Sequence, residues 1–183
     1  MNAPERDLLA CLLLPAAAVA APVYAADYLT AAQAQRALFP EADAFVPRPV
    51  TLSDDQKKQI RKRSGLRQRW DTQEVWRAAS GDAFLGWFIV DNVIGKHEFI
   101  TYGVALSPDG HVIGVEVMSY RETHGGEIRN PGWLGRFRGK TLADPFKLDR
   151  DIPNISGATL SCRNVLDGVK RLLALREVAL AHE

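Results

Sequence analysis

"EVWRAASGDAFLGWFIVDNVIGKHEFITYGVALSPDGHVIGVEVMSY", residues 74–120, decides the fold. Residues 74–80, 83–95, 98–107 and 111–120 are rich in aromatic and β-branched side chains, the composition of strands. Pro108-Asp109-Gly110 separates the last two. Proline presets φ and glycine takes the left-handed position, so the chain turns back on itself there. Strands joined by short turns predict an antiparallel sheet.

Outward from this block the period changes. Residues 28–38, "YLTAAQAQRAL", read as a short helix ended by Phe39-Pro40. "SDDQKKQIRKRSG" opens on Ser53 with Gln56 three positions on, a capping box, and stops at Gly65. A short helix is expected at 132–137. A long one runs from about Ala158 to His182, with Val165, Val169, Leu172, Leu173 and Leu180 as its apolar face. Gly168 on that helix suggests close approach of a backbone or a flat ligand, or an accident of the exposed side. The predicted class is α+β: a twisted antiparallel sheet flanked by helices, with a helical arm over 26–70 and the main domain over 71–183.

Residues 8–26 carry no charge until Asp27 and end in Val23-Tyr24-Ala25, small residues at −3 and −1 of a cut before Ala26. Residues 1–25 read as a secretory signal peptide, or as a membrane anchor if retained. The expected location is the periplasm, with residues 8–26 as the alternative tether. Cys162 is then the single cysteine of the mature chain, so no intramolecular disulfide holds it. A net charge of +1 and 46% apolar residues are ordinary for a globular domain and argue against disorder and nucleic-acid binding. The four histidines lack metal-ligand spacing, and there is no Cys-x-x-Cys-His for a c-type haem. The run Lys57–Arg69 holds seven positive charges and no negative one. It is either a solvated helix face or a docking face for an acidic redox partner.

The densest chemistry lies at Ser156-Gly157-Ala158-Thr159-Leu160-Ser161. Free amides at a helix start attract anions, phosphate above all, and the Thr159 hydroxyl would sit at the phosphorus. Ser156 could equally be a plain cap. Cys162 is either a thiol activated by the helix start or a buried small residue.

This motif, followed by an apolar helix, closely resembles the flavinylation motif of the FMN-binding domain family, which includes subunits of the sodium-pumping NADH:quinone reductase and of the Rnf complex. Two further stretches agree. Glu122-Thr123-His124-Gly125-Gly126-Glu127-Ile128 is similar to the family's flavin-ring loop, with His124 in place of a proline and Gly126 in place of a leucine. Trp133–Lys140, "WLGRFRGK", resembles the aromatic helix and Phe-x-Gly-Lys that follow. The likeness covers roughly residues 97–175, and Pro153 stands where the family carries an aspartate.

The resemblance implies FMN as cofactor, bound through a phosphoester to Thr159 by a flavin transferase. It implies that the helix start holds the phosphate while the 122–128 loop lies against the ring. His124 would lie nearest the ring, where an imidazole favours the reduced anion; otherwise it is a solvated loop residue. Trp133 either stacks on the ring or is a core aromatic. The expected role is electron relay, with a cytochrome or a membrane redox complex as partner. The alternatives are a flavin-dependent reductase of a small acceptor and a flavin-free docking module.

Overall fold

The computed structural model describes residues 26–181. The signal or anchor reading of 1–25 and the expected helix end at His182 lie outside them. In chain order the elements are β1 (Ala26–Asp27), α1 (Ala31–Leu38), β2 (Ala44–Pro47), β3 (Val50–Thr51), α2 (Asp54–Ser64) and β4 (Thr72–Ser80). β5 (Ala83–Ile94), β6 (Phe99–Leu106), β7 (Val112–Tyr120), α3 (Pro131–Leu134) and α4 (Thr159–Leu175) follow.

All pairings between these strands are antiparallel, in the order β1-β7-β6-β5-β4-β2, with β3 also on β4. The α+β class and the four-strand block are as expected. The segment 26–70 is not purely helical, however. It adds β1 to the β7 edge, and β2 and β3 to the β4 edge. Strands of two to four residues are too short for a readable period.

β5 shows why the sheet reads as a continuous apolar run. Trp87 and Ile89 face the core under α4, while Phe88 and Val90 face a second core under α1. A central strand covered on both faces loses its polar alternation. The Pro108–Gly110 turn forms as read, with Gly110 at φ 91° and its amide on the Ser107 carbonyl (3.0 Å). The Ser53/Gln56 capping box starts α2, and Gly65 ends it at φ 78°. Thr30 and Gln33 form a second capping box, which starts α1 later than residue 28.

α4 lies across the front of the sheet with Val165, Val169, Leu172 and Leu173 buried, each worth about 1.5–3 kcal/mol of apolar burial. Its middle is fixed by polar contacts. The Arg171 guanidinium donates to Asp91 Oδ2 on β5 and to Gln68 Oε1, and the Tyr102 hydroxyl on β6 donates to the same Asp91 oxygen (2.5 Å). All four side chains are buried. A Cβ at Gly168 would overlap the Tyr102 hydroxyl. The close approach at that glycine is therefore to a phenol, not to backbone or ligand.

Candidate functional site

The site begins where α4 begins. Gly157 holds φ 78°, a left-handed turn that L-residues avoid, and it aims the chain into the helix. The N-cap is Ala158, which has no side chain to cap with, so Ser156 does not cap the helix and stands exposed in the turn. The first bond of the helix joins the Cys162 amide to the Ala158 carbonyl (2.9 Å). The amides before it carry the positive end of the helix dipole and meet no capping group.

The Thr159 hydroxyl is exposed at this end and accepts a bond from Asn154 Nδ2 (3.0 Å). Asn154 Oδ1 is buried and unpartnered.

Three segments far apart in sequence close around this end. They form a cleft of about 260 Å³ lined by the helix start (Gly157–Ser161), the loop after β7 (Glu122–His124) and the turn between β5 and β6 (Lys96 and His97), with Tyr120 at its back. Thr123 and His124 also border a more open hollow of about 650 Å³ with Gly125 and Gly126.

Glu122 ties two of the segments together. Its carboxylate accepts from the amides of His97 (2.6 Å) and Glu98 (3.0 Å). Partial burial pushes its pKa up, but the amides of Glu98, His97 and Lys96 more than offset this, so the carboxyl titrates below its ordinary range. Tyr120 ties the third. Its hydroxyl donates to the His124 carbonyl (2.5 Å) and lies 3.4 Å from Ser161 Oγ. Burial raises its pKa, so it stays a neutral donor.

Gly125 has a packing role in the fold. At φ 84°, a Cβ there would strike Ala158 and come within 2.8 Å of the Tyr120 hydroxyl. Its bareness lets the loop pack on the helix start. Gly126 faces open space.

Thr159, Gly157, Ala158, Leu160, Ser161, Glu122, Thr123 and His124 thus converge on one cleft, with Gly125 and Gly126 on its open side. Trp133 and Lys140 do not reach it. Trp133 is buried edge-on to Phe137 and donates Nε1 to the Pro153 carbonyl (2.8 Å). Lys140 Nζ pairs with Asp151 (3.2 Å). Both therefore anchor the 151–153 stretch that leads to Asn154 and Thr159. Cys162 is buried and burial raises its pKa, which makes it the inert reading of the two.

Lys96, His97, Tyr120 and Asn154 are members that the sequence did not point to. Their one signal was adjacency to recognised stretches.

In an uncapped helix end beside an exposed hydroxyl and a lysine, an anionic phosphate finds amide donors, dipole and charge together. Leu160, 48% exposed on the same wall, offers an apolar surface.

Residues 95–174 match the FMN-binding domain family, the stretch that contains every cleft residue named above. The G subunit of the ion-translocating oxidoreductase complex of Cereibacter sphaeroides is 35% identical over 83 residues, 39% of this chain and 38% of that protein. Its counterpart of the same name in Stutzerimonas stutzeri is 30% identical over 93 residues, 45% of this chain and 41% of that protein. The match spans about two fifths of the length of these relatives. The solved structure of Shewanella oneidensis NqrC superposes with a TM-score of 0.55 at 19% identity, covering 79% of this chain and 88% of that one, and shares its fold. The expectation of FMN as the cofactor is borne out by the family match.

Proposed function

We propose that this chain, whose residues 95–174 form an FMN-binding domain, carries FMN at the head of α4 through a phosphoester to Thr159 and relays electrons between redox partners. The observation that carries the reading is the uncapped start of α4, with the exposed Thr159 hydroxyl in a cleft lined by Lys96 and His97.

The residues fit the group. The free amides and Lys96 face the phosphate charge, and attachment through Thr159 Oγ1 removes one negative charge from it. Asn154 Nδ2 orients that oxygen. Leu160 and the glycine-bordered hollow receive the flat ring, with His124 at its rim. Bound FMN supplies reversible one- and two-electron chemistry. The protein holds it at an open cleft edge, within reach of a partner. Two of its titratable groups are already engaged, Glu122 by backbone amides and Tyr120 by a carbonyl, which suits relay better than substrate chemistry.

In this reading residues 1–25 direct export to the periplasm or anchor the chain, 26–70 complete the sheet and its cores, and 71–183 hold the cofactor. A flavin transferase installs it. Tethering retains a cofactor that dilution would otherwise remove. The partner is a cytochrome or a membrane redox complex, as the two bacterial relatives, named for ion-translocating oxidoreductase complexes, suggest. Among the described residues no helix is long and apolar enough to cross a membrane.

The test is in-gel fluorescence after denaturation, on material exported by a host that has the transferase. A yellow protein whose fluorescence survives denaturation and vanishes in Thr159→Ala is the expected result. Colourless protein would support the flavin-free alternative.

A further inference from the structure

The basic run Lys57–Arg69 is only partly neutralised. Lys57 pairs with Asp71 (2.5 Å), Lys58 with Asp55 (3.1 Å) and Arg63 with Glu177 (2.7 Å). Arg61, Lys62, Arg67 and Arg69 are exposed and form no ion pair among the described residues.

The placement of Arg67 and Arg69 leads to the cleft. Arg67 and Arg69 line a narrow hollow with Asn164 and Asp167 of α4. Asn164 lies one helical turn beyond Leu160, a cleft residue, so the two share a face. Asn164 Nδ2 also donates to the Ile94 carbonyl (2.5 Å), two residues before Lys96. Arg163 and Lys96 are exposed and equally without an ion pair among the described residues. One acid, Asp167, lines the same hollow. Beside this strip stand exposed apolar side chains, Ile94 at the end of β5, Phe99 at the start of β6 and Leu160 at the helix start.

An apolar centre with a charged rim is the anatomy of a protein interface. A flat bilayer would cover the cleft mouth without entering it, whereas a protein can present a prosthetic group to it. We propose that Arg67, Arg69, Arg163 and Lys96 dock the acidic face of a redox protein and bring it to the flavin edge. This rests on the flavin reading above.

The test uses the full, flavin-loaded chain, with loading verified by visible absorbance in every variant so that loss of flavin is told apart from loss of docking. Chemically reduced protein is mixed at low salt with ferricyanide or with hexaamminecobalt(III). Each reduced flavin gives two electrons, one to each of two oxidant ions, and releases its protons to buffer.

Charge steering changes such rates by about 10- to 1,000-fold. The double variant Arg67→Glu/Arg69→Glu should slow the anionic oxidant about tenfold and speed the cationic one, with both effects collapsing at high salt. Labelled poly-L-glutamate should bind the wild type and not the double variant. Arg36→Glu, on α1 behind the sheet, should change neither.

Loaded double variant with wild-type rates toward both ions would overturn the proposal. So would retained poly-L-glutamate binding in the double variant, or wild-type protein that binds phosphatidylglycerol vesicles at low salt and does not bind poly-L-glutamate.

Discussion

The two halves of α4 are built on opposite plans. Around Arg171 the helix is closed. Across β5, β6 and the 66–73 segment, a buried guanidinium bonds a glutamine and, together with a phenol, one oxygen of a buried carboxylate, whose other oxygen has no hydrogen-bond partner among the described residues. At Thr159 the helix is open, with an alanine where a capping hydroxyl belongs and a hydroxyl exposed to solvent. The contrast teaches that the open end can be left unsatisfied because the other half fixes the helix. A helix held only by its ends would fray there.

Breaking the closed half should cost most. Arg171→Met leaves Asp91 buried with its charge unpaired and should destabilise by about 3–5 kcal/mol, read by chemical denaturation of the apoprotein. The loop–helix joint comes next. Gly125→Ala forces an L-residue to positive φ, about 1–2 kcal/mol, and drives its Cβ into Ala158. Stability and flavin loading should fall together, because that contact sets the helix start itself. Gly168→Ala should cost about 1–3 kcal/mol by overpacking. Adding Tyr102→Phe should relieve part of that loss, since the hydroxyl is what the new methyl meets; strict additivity in the double-mutant cycle would refute the contact.

A smaller effect belongs to Glu122. Its folded pKa is lowered, so the unfolded chain binds the proton more readily, and its stabilisation is complete above the ordinary carboxylate range. It disappears as pH falls through the lower folded value. Hydrogen exchange at the His97 and Glu98 amides should show protection at neutral pH that is lost on acidification. Glu122→Gln should weaken it at every pH.

Most of this contrast was half-legible in the sequence. The strand block, the proline–glycine turn and the Ser53 capping box declare themselves by local rules, and the structure places them within a few residues. Gly168 announced a close approach but not its partner, because Tyr102 is distant in sequence and only the fold brings it under the helix. Ser156 looked like the cap, yet Gly157 in its left-handed turn sets Ala158 there instead. Trp133 and Lys140 belong to a motif that neighbours the cleft in sequence, and they serve it by holding residues 151–153. Lys96 and His97 were invisible because a short turn between strands carries no pattern. Only the pairing of β5 with β6 brings it to the head of α4.

Thr159→Ala marks the small end of the scale for folding and the decisive end for function. The side chain is exposed at a helix start, so its loss should leave stability within about 0.5 kcal/mol. The most direct measurement is the mass of the tryptic peptide containing Thr159, from chain matured in an exporting host with the transferase. It should be heavier than its sequence by one FMN less one water, with fragmentation placing the addition on Thr159. An unmodified peptide from protein that is nonetheless yellow, or an addition on another residue, would contradict attachment at the open end of α4.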